Sequence, residues 1–282
     1  MQTRFAPSPT GYLHLGHAFS ALTAFEQARA AHGTFLLRIE DTDRARVRPE
    51  YEAAIHEDLA WLGIRWETPV LRQSDHLSDY QAALDRLSDM GVTYPCHCTR
   101  ADIQAALSAP QEGVQAGDGP VYPGTCRGRP MSGQKTGDAV RLDMDRALAL
   151  LGDPARLGFD DSGPDHQGWH VLSPDWMRQR VGDLVLARKD IGAAAYHLSV
   201  VVDDARQGIT DVVRGDDLFE ATFIHRLLQA LLGLPTPAYH HHRLIRDDTG
   251  KRLAKRDDAR ALRRYRAEGA TPADIREMLG LG

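Results

Sequence analysis

The chain opens with a short strand that leads into a loop containing proline and glycine and then into a helix, and this order restricts the fold more than any other part of the sequence. Residues 3–6 are a candidate strand, and a loop over residues 7–11 follows. Apolar side chains then recur at helical spacing, at Leu15, Phe19, Leu22 and Phe25. Gly33 ends the helix, and residues 35–39 are typical of a buried strand. This β-loop-α-β unit predicts a parallel α/β domain.

Further along the chain, helices alternate with short apolar segments. Helices are expected to begin at Pro49, to run from about Leu77 to Met90, to end at Gly233, and to cover residues 259–268 and 272–279. Short apolar runs occupy residues 184–186, 200–202 and 209–213. Two further segments, residues 109–137 and 152–174, contain many glycines and prolines, and we expect both to be irregular.

The composition is that of an ordinary globular protein, with 42% hydrophobic and 26% charged residues in a chain of 282. No apolar run approaches the roughly 20 residues that span a bilayer, and the N-terminus lacks the apolar stretch of a signal peptide. We therefore expect no membrane association and a cytoplasmic location. The net charge of -5 argues against general affinity for nucleic acid. Basic residues are concentrated within residues 243–266, which predicts either a local RNA-binding surface or a solvated helix face.

The loop before the first helix has the features of an anion-binding site. It exposes the N–H groups of a helix start, and ligands of parallel α/β sheets lie at the carboxyl ends of the strands. His14 and His17 flank Gly16, so the backbone can approach a ligand while two imidazoles face it. From position alone, a surface loop with two chance histidines is an equally good interpretation.

The string His14-Leu15-Gly16-His17 resembles the HIGH signature of the class I aminoacyl-tRNA synthetases. Residues 4–11 and 38–43 are similar to the glutamate and glutamine branch of that family. The resemblance implies an α/β fold: a class I synthetase Rossmann-like parallel sheet, an inserted zinc-bearing module of the acceptor type, and a short C-terminal helical region.

The same resemblance implies a division of the chain into four parts. These are residues 1–92 and 181–237 as the two halves of the catalytic domain, 93–180 as the inserted module, and 238–282 as a signature loop followed by a helical region that contacts the RNA stem. It also implies that this chain has no anticodon-binding domain.

A second family signature, the KMSKS loop, is matched less closely by residues 251–256. Lys255 is retained, whereas Arg252, Ala254 and Arg256 depart from the signature. The resemblance implies a lid over the triphosphate of ATP. Considered alone, the segment would be a solvated basic loop.

The resemblance also implies the chemistry: the carboxylate of L-glutamate attacks the α-phosphorus of ATP, which gives glutamyl-adenylate and pyrophosphate. Because that carboxylate is ionised at pH 7, positioning and charge stabilisation matter more than a general base. The family match makes His14, His17 and Lys255 the catalytic residues and adds Gly16 to them for ATP binding. Mg²⁺ is expected to bridge the phosphates.

Six residues are expected, by the same match, to line the glutamate pocket: Arg4, Ala6, Ser8, Glu40, Tyr196 and Arg214. Glu40 would hold the α-ammonium group. Arg4 and Arg214 are the candidates for the carboxylates, because a guanidinium donates two parallel hydrogen bonds. Taken singly, Arg214 could equally be a surface arginine after a strand, and Tyr196 a core aromatic residue.

The three cysteines, Cys96, Cys98 and Cys126, suit a metal site or free thiols better than a disulfide framework. One structural Zn²⁺ would need a fourth ligand to close its tetrahedron. The spacing leaves that ligand open, with His97 a good chemical choice, and the resemblance implies Tyr122 instead. Three reduced cysteines without metal are the remaining alternative.

The chain length, the cysteine pattern and residues 196–204 look like the glutamyl-queuosine tRNA(Asp) synthetase branch of the family. In that branch glutamate is transferred to a hydroxyl on the cyclopentene ring of queuosine, at the wobble position of tRNA(Asp). The resemblance therefore implies a monomer with three partners: ATP, L-glutamate and the queuosine-bearing anticodon loop of tRNA(Asp). The alternatives are a truncated glutamyl-tRNA synthetase that charges the 3′ end of tRNA(Glu), and a catalytically silent RNA-binding relative.

Overall fold

The N-terminal unit folds as the sequence predicts. The computed structural model describes residues 1–108, 121–153, 156–188, 194–245 and 260–282. The first elements are β1 (Gln2–Phe5), α1 (Leu15–Ala30), β2 (Thr34–Ile39), α2 (Pro49–Trp61) and β3 (Glu67–Arg72). The three strands are parallel, in the order β1-β2-β3, because a helical crossover rather than a hairpin connects β1 to β2 and β2 to β3.

The remaining elements alternate between helices and short strands. They are α3 (Leu77–Asp89), β4 (Thr93–Cys96), α4 (Arg100–Ser108), β5 (Ala139–Leu142), α5 (Met144–Leu150), β6 (Gly158–Asp161), β7 (Gly168–Val171), α6 (Pro174–Trp176), β8 (Val185–Ala187), α7 (Tyr196–Arg206), β9 (Asp211–Gly215), α8 (Phe219–Leu232), β10 (Ala238–His242), α9 (Leu262–Ala267) and α10 (Pro272–Leu279). Across the described ranges, no helix combines the length and the apolar character that crossing a membrane requires.

The later strands form two further sheets. One has the order β7-β6-β10-β9, in which β10 is parallel to both β9 and β6, and the other is the antiparallel sheet β4-β5-β8. Strand β1 lies against β9, and the N–H of Thr210 donates to the carbonyl of Gln2 at 2.9 Å. Because this bond joins the two strands at their starts, their carboxyl ends lie side by side.

Two large apolar cores support these sheets. The first surrounds α1 and includes Leu22, Leu59 of α2 and Leu262 of α9, all of them fully buried. The second lies between α3, α7, α8 and the antiparallel sheet, and it includes Leu87 and Leu228. Truncating one such leucine to alanine typically costs about 2–5 kcal/mol, so both cores are needed for stability.

Two segments differ from what their local sequence suggests. Residues 152–174 are not wholly irregular, because they contain the hairpin of β6 and β7. Strand β6 is held by β10, which is distant in the sequence, and a four-residue polar strand gives no local pattern. The valine run at residues 200–202 lies inside α7, where packing against α3 and α8 outweighs the strand preference of β-branched residues.

The division of the chain at residues 92, 180 and 237 stays a prediction. Strands from both sides of these positions share sheets, since β8 pairs with β5 and β6 pairs with β10. Residues 121–137 are the described part of the other segment predicted to be irregular, 109–137, and they consist of turns around the short 3-10 helix Met131–Gly133.

Candidate active site

A cleft of about 530 Å³ opens where β1 and β9 end. Ligands of parallel α/β sheets bind at such a place, outside the carboxyl ends of the strands. All six residues predicted for glutamate line the cleft: Arg4, Ala6, Ser8, Glu40, Tyr196 and Arg214. His17 of the predicted ATP loop lines it too. The fold therefore brings these side chains to one cavity from β1, β2, α7 and β9, while their individual roles stay predictions.

The two histidines of the HIGH-like string cap the start of α1. Nδ1 of His14 accepts from the N–H of Gly16 at 3.1 Å, and Nδ1 of His17 accepts from the N–H of His14 at 3.2 Å. An imidazole that accepts through Nδ1 carries its proton on Nε2. Both rings are therefore Nε2–H donors at the positive end of the helix dipole. A Cβ at Gly16 would lie 3.0 Å from Cε1 of His14, so a larger residue here would press against the capping imidazole.

Backbone hydrogen bonds from distant segments hold the loop that precedes α1. The N–H of Glu40 donates to the carbonyl of Pro7, and the N–H of Arg48 donates to that of Pro9, both at 3.1 Å. The N–H of Leu262 donates to the carbonyl of Leu13 at 2.8 Å. The loop is consequently fixed from β2 on one side and from α9 on the other.

Arg4 is already neutralised by a carboxylate. Its Nε and Nη2 donate to the two oxygens of Asp204, at 2.9 and 3.2 Å, in a side-on pair that is almost fully buried. Burial raises the pKa of Asp204, but Arg4 and Arg38 outweigh that effect and lower it to about 2. Nη1 of Arg4 has no hydrogen-bond partner among the described residues and remains as a donor at the cleft.

Arg38 is fully buried and organises the acidic groups beneath the cleft. Its Nη1 donates to Asp204 at 2.7 Å, and its Nη2 donates to Oε1 of Glu40 at 3.3 Å. Asp203 lies 3.7 Å from its Nε and also accepts from Tyr80 at 2.8 Å. Burial raises the pKa of Glu40, and Arg38 opposes that rise. Glu40 is thus a positioned carboxylate on the cleft wall, suited to an ammonium group.

Arg214 differs from Arg4 because its partners are neutral. Its guanidinium donates to Nε2 of His241 at 3.1 Å, Nδ1 of His225 at 3.2 Å, the carbonyl of Leu218 at 3.1 Å and Oγ1 of Thr222 at 2.6 Å. No carboxylate in the described part of the chain forms an ion pair with it. A cation that is 5% exposed, oriented and unneutralised is suited to an anionic ligand.

Two of the alternatives open at the sequence level are excluded by burial. Arg214 is buried, so it is not a surface arginine, and Tyr196 is 37% exposed on the cleft wall, so it is not a core aromatic residue.

At the cleft rim, Arg46 pairs with Asp43 at 2.6 Å, and Arg188 lies 3.8 Å from the same carboxylate.

The three cysteines form one buried cluster, in which their Sγ atoms lie within 4.8 Å of one another. Oη of Tyr122 lies 3.4 Å from Sγ of both Cys96 and Cys98, and Nδ1 of His97 lies 3.5 Å from Sγ of Cys126. Burial raises the pKa of Cys98 to about 11. Burial also raises that of Cys126, but hydrogen bonds from Tyr122 and His97 lower it to about 6. Three clustered sulfurs, one of them with a lowered pKa, are a suitable donor set for a soft metal ion.

The structure adds residues that motif reasoning missed. His225, His241 and Asp161 support the cleft arginines without belonging to a signature, and Asp203 and Asp204 lie in the family-like string 196–204 but were given no role there. The acidic pair did carry a signal, since two carboxylates directly after an apolar run of a helix predict buried ion pairs. The lone His225 carried none.

Lys255 and the rest of residues 251–256 lie outside the described residues. The arginines that follow are largely engaged within the molecule: Arg260 pairs with Glu268, Arg263 stacks 4.5 Å above the ring of Tyr12, and Arg266 pairs with Glu57 at 3.2 Å. The basic segment is therefore partly neutralised by its own neighbours.

Comparison with known proteins agrees with this geometry. The family model for tRNA synthetases class I (E and Q), catalytic domain, matches residues 1–136 and 174–281. A glutamyl-Q tRNA(Asp) synthetase from Rhodobacter capsulatus is 61% identical over the whole of both chains. One from Nocardia farcinica is 43% identical over 98% of this chain and 82% of its own length.

A solved structure also shares the fold. The crystal structure of a glutamate tRNA ligase from Elizabethkingia meningosepticum, in complex with its amino acid, superposes with a TM-score of 0.75 at 26% identity. The match covers all of this chain and 61% of that one. The fold is thus that of a class I synthetase catalytic domain. The chain belongs to the family of glutamyl-Q tRNA(Asp) synthetases, which are ligases.

Proposed function

We propose that the protein activates L-glutamate with ATP in the absence of tRNA and then transfers the glutamyl group to queuosine at the wobble position of tRNA(Asp). The observation that carries this proposal is the charge layout of the cleft. The unneutralised Arg214 and the carboxylate of Glu40 line one cavity with His17 of the capped helix start. The names of the relatives support the choice of acceptor.

Glutamate requires one anionic and two cationic contacts. Glu40 receives the α-ammonium group, because it is the carboxylate that Arg38 holds at the cleft wall. Arg214 and the remaining Nη1 of Arg4 donate hydrogen bonds to the carboxylate oxygens of the substrate. Ala6, Ser8 and Tyr196 complete the wall, with the small side chain of Ala6 leaving room beside the ligand.

In the activation step, an oxygen of the α-carboxylate forms a bond to the α-phosphorus of ATP, and the bond from that phosphorus to the bridging oxygen of pyrophosphate breaks. His14 and His17 donate from Nε2 to phosphate oxygens, on which negative charge increases in the transition state. Lys255 supplies a further positive charge from the KMSKS-like loop. Mg²⁺ that enters with ATP would supply further positive charge to the leaving pyrophosphate.

The cysteine cluster fits one structural Zn²⁺. Zinc–sulfur bonds of about 2.3 Å in a tetrahedron place sulfurs about 3.8 Å apart, and Cys98 and Cys126 already lie 3.5 Å apart. Tyr122 is the proposed fourth ligand, because its oxygen lies 3.4 Å from two of the three sulfurs, whereas His97 is near one alone. The ion would tie β4 to the turns that contain Cys126.

Metal analysis tests this assignment. We expect one zinc per chain, lost in Cys98→Ser, with a lower thermal unfolding temperature and loss of stability on chelation. Tyr122→Phe is expected to lower zinc affinity by about 10-fold or more, and His97→Gln by less than Tyr122→Phe. The opposite ranking would make His97 the ligand, and a purified chain without zinc that keeps its stability under chelation would contradict the site.

The acceptor is tested with labelled glutamate, ATP and purified tRNA(Asp) carrying or lacking queuosine. We expect label only on the queuosine-bearing tRNA, in the anticodon-loop fragment after nuclease digestion, and undiminished by removal of the 3′ terminal adenosine. Label at the 3′ end of tRNA(Glu) would instead identify a glutamyl-tRNA synthetase. The absence of any transfer together with the absence of adenylate formation would identify a silent relative.

A further inference from the structure

The buried side of Arg214 is built from imidazoles. Behind its guanidinium lie His225, which is 2% exposed, and His241, which is 1% exposed. Each of these histidines has an outer partner: Nε2 of His225 lies 3.1 Å from Nδ1 of His197, and Nδ1 of His241 is bonded to Asp161. The hydrogen bonds therefore form a row from Asp161 through Arg214 to His197.

The direction of the bonds at His241 follows from its neighbours. An arginine can only donate, so Nε2 of His241 must accept from Nε of Arg214, and Oγ1 of Thr222 lies 3.2 Å from the same nitrogen. The proton of the ring consequently sits on Nδ1, from which it is donated to Asp161. Asp161 is held in turn by the N–H of Gly163 at 2.7 Å.

The tautomer of His225 follows in the same way. Nδ1 of His225 accepts from Nη1 of Arg214, so the proton of His225 sits on Nε2 and is donated to Nδ1 of His197. Burial and the charge of Arg214 both lower the pKa of His225, and they lower that of His197 to about 4. Burial also lowers the pKa of His241. These directions agree with the hydrogen bonds, in which each of the three rings accepts through one nitrogen and is therefore a neutral imidazole.

We propose that His225 and His241 are positioning residues that hold Arg214 through neutral lone pairs, so that its positive charge is left for the side-chain carboxylate of the amino-acid substrate. This rests on the function proposed above. A carboxylate in either place would orient the guanidinium equally well but would neutralise it, as Asp204 does for Arg4. The tautomers set by Asp161 and His197 keep the two lone pairs aimed at the arginine.

This arrangement makes the pocket select its amino acid by the charge of the side chain. An unneutralised, desolvated guanidinium favours an anionic side chain over a neutral amide of the same shape, because the anion gains the full interaction with the buried cation. The imidazole pair therefore sets glutamate apart from glutamine, although neither histidine touches the substrate.

Two substitutions of nearly equal shape separate this role from a packing role. His225→Gln keeps a neutral acceptor next to Arg214, whereas His225→Glu places an anion there. We expect the glutamate KM in ATP–pyrophosphate exchange to rise less than about 5-fold in His225→Gln and at least about 30-fold in His225→Glu. In the second variant the new carboxylate neutralises Arg214, so the substrate carboxylate loses its attraction to that cation. The ATP KM is expected to stay within about 3-fold in both variants, and thermal unfolding confirms that each is folded.

Equal effects of the two substitutions would overturn the proposal, because a packing role does not distinguish an amide from a carboxylate. A second measurement does not depend on catalysis: long-range ¹H–¹⁵N spectra of the wild-type chain at pH 7 are expected to show the Nε2–H tautomer for His225 and the Nδ1–H tautomer for His241. An imidazolium or the reverse tautomers would also overturn it. If the tautomers are as expected but the wild type shows no glutamate-dependent exchange, the arrangement stands and the proposed function fails.

Discussion

Asp204 is a buried carboxylate that Arg4 and Arg38 share beneath the cleft wall. Replacing it with asparagine leaves two buried guanidinium groups without their common anion. We expect Asp204→Asn to lower the free energy of unfolding by about 3 kcal/mol at pH 7, measured by urea denaturation. The matched control is Asp79→Asn, which breaks an exposed pair with Arg206 and is expected to cost less than about 1 kcal/mol.

The loss of stability in Asp204→Asn depends on pH, and the pKa of Asp204 determines in which direction. The folded pKa of Asp204, about 2, is below the value of about 3.9 that an aspartate has in an unfolded chain. The pairing therefore stabilises the folded state above about pH 4 and is lost as the pH falls toward 2. The stability gap between the wild type and Asp204→Asn should narrow across that window, and a gap that widens on acidification contradicts the assignment.

Single residues could be predicted from the sequence where they belong to contiguous strings. Arg4, Ser8 and Glu40 lie in segments that resemble a known signature, and all three line the cleft. His225 and Asp161 could not be predicted, because each is a lone polar residue whose partner is set by tertiary contact. The resemblance indicated which arginines matter but not that one is neutralised and the other is not.

At the scale of elements, α9 connects the C-terminal helices to the ATP loop. Leu262 bonds to the backbone of Leu13, Arg263 stacks on Tyr12, and Nη1 of Arg266 lies 3.6 Å from Oδ1 of Asp58 in α2. The docking of α9 therefore fixes the C-terminal helices against the HIGH-like loop.

Asp58 is destabilising in its charged form. It is fully buried, neither of its oxygens has a hydrogen-bond partner in the described structure, and burial raises its pKa to about 6 despite the nearby Arg266. The unfolded value is about 3.9, so the carboxylate lowers stability increasingly as the pH rises from about 4 through 6. We expect Asp58→Asn to be more stable than the wild type by about 1–2 kcal/mol at pH 8 in urea denaturation, with the gain shrinking toward pH 4.

The control for this substitution is Glu57→Gln, which changes the exposed neighbour that also contacts Arg266 and is expected to change stability by less than about 1 kcal/mol. A loss of stability in Asp58→Asn at pH 8 would show that attraction to Arg266 outweighs the cost of burying the charge.

Elements with a strong local signal were predicted within a few residues. Helix α2 begins at Pro49 as expected, and α3 covers Leu77–Asp89, where a helix from about Leu77 to Met90 was expected. Strands β6 and β7 were missed because β6 is held by β10 through a long-range contact, and β7 pairs in turn with β6. Helix α7 carries valines that favour a strand locally, and only its packing makes it a helix.

At the scale of the whole molecule, the cleft exists because β1 and β9 lie side by side although they are far apart in the sequence. Local periodicity indicates an α/β class but contains no information on that pairing. The resemblance to a known family supplied the arrangement, and the match to a synthetase structure with a TM-score of 0.75 confirms the class I fold.

Glutamate activation is tested by glutamate-dependent exchange of pyrophosphate into ATP, with Mg²⁺ and without tRNA. We expect exchange with L-glutamate, at least about 100-fold less exchange with glutamine, and a comparable loss in Arg214→Leu, whose fold is checked by thermal unfolding. A folded wild-type chain that exchanges no pyrophosphate, or one that uses glutamine as well as glutamate, contradicts the claim that this cleft activates a dicarboxylic amino acid.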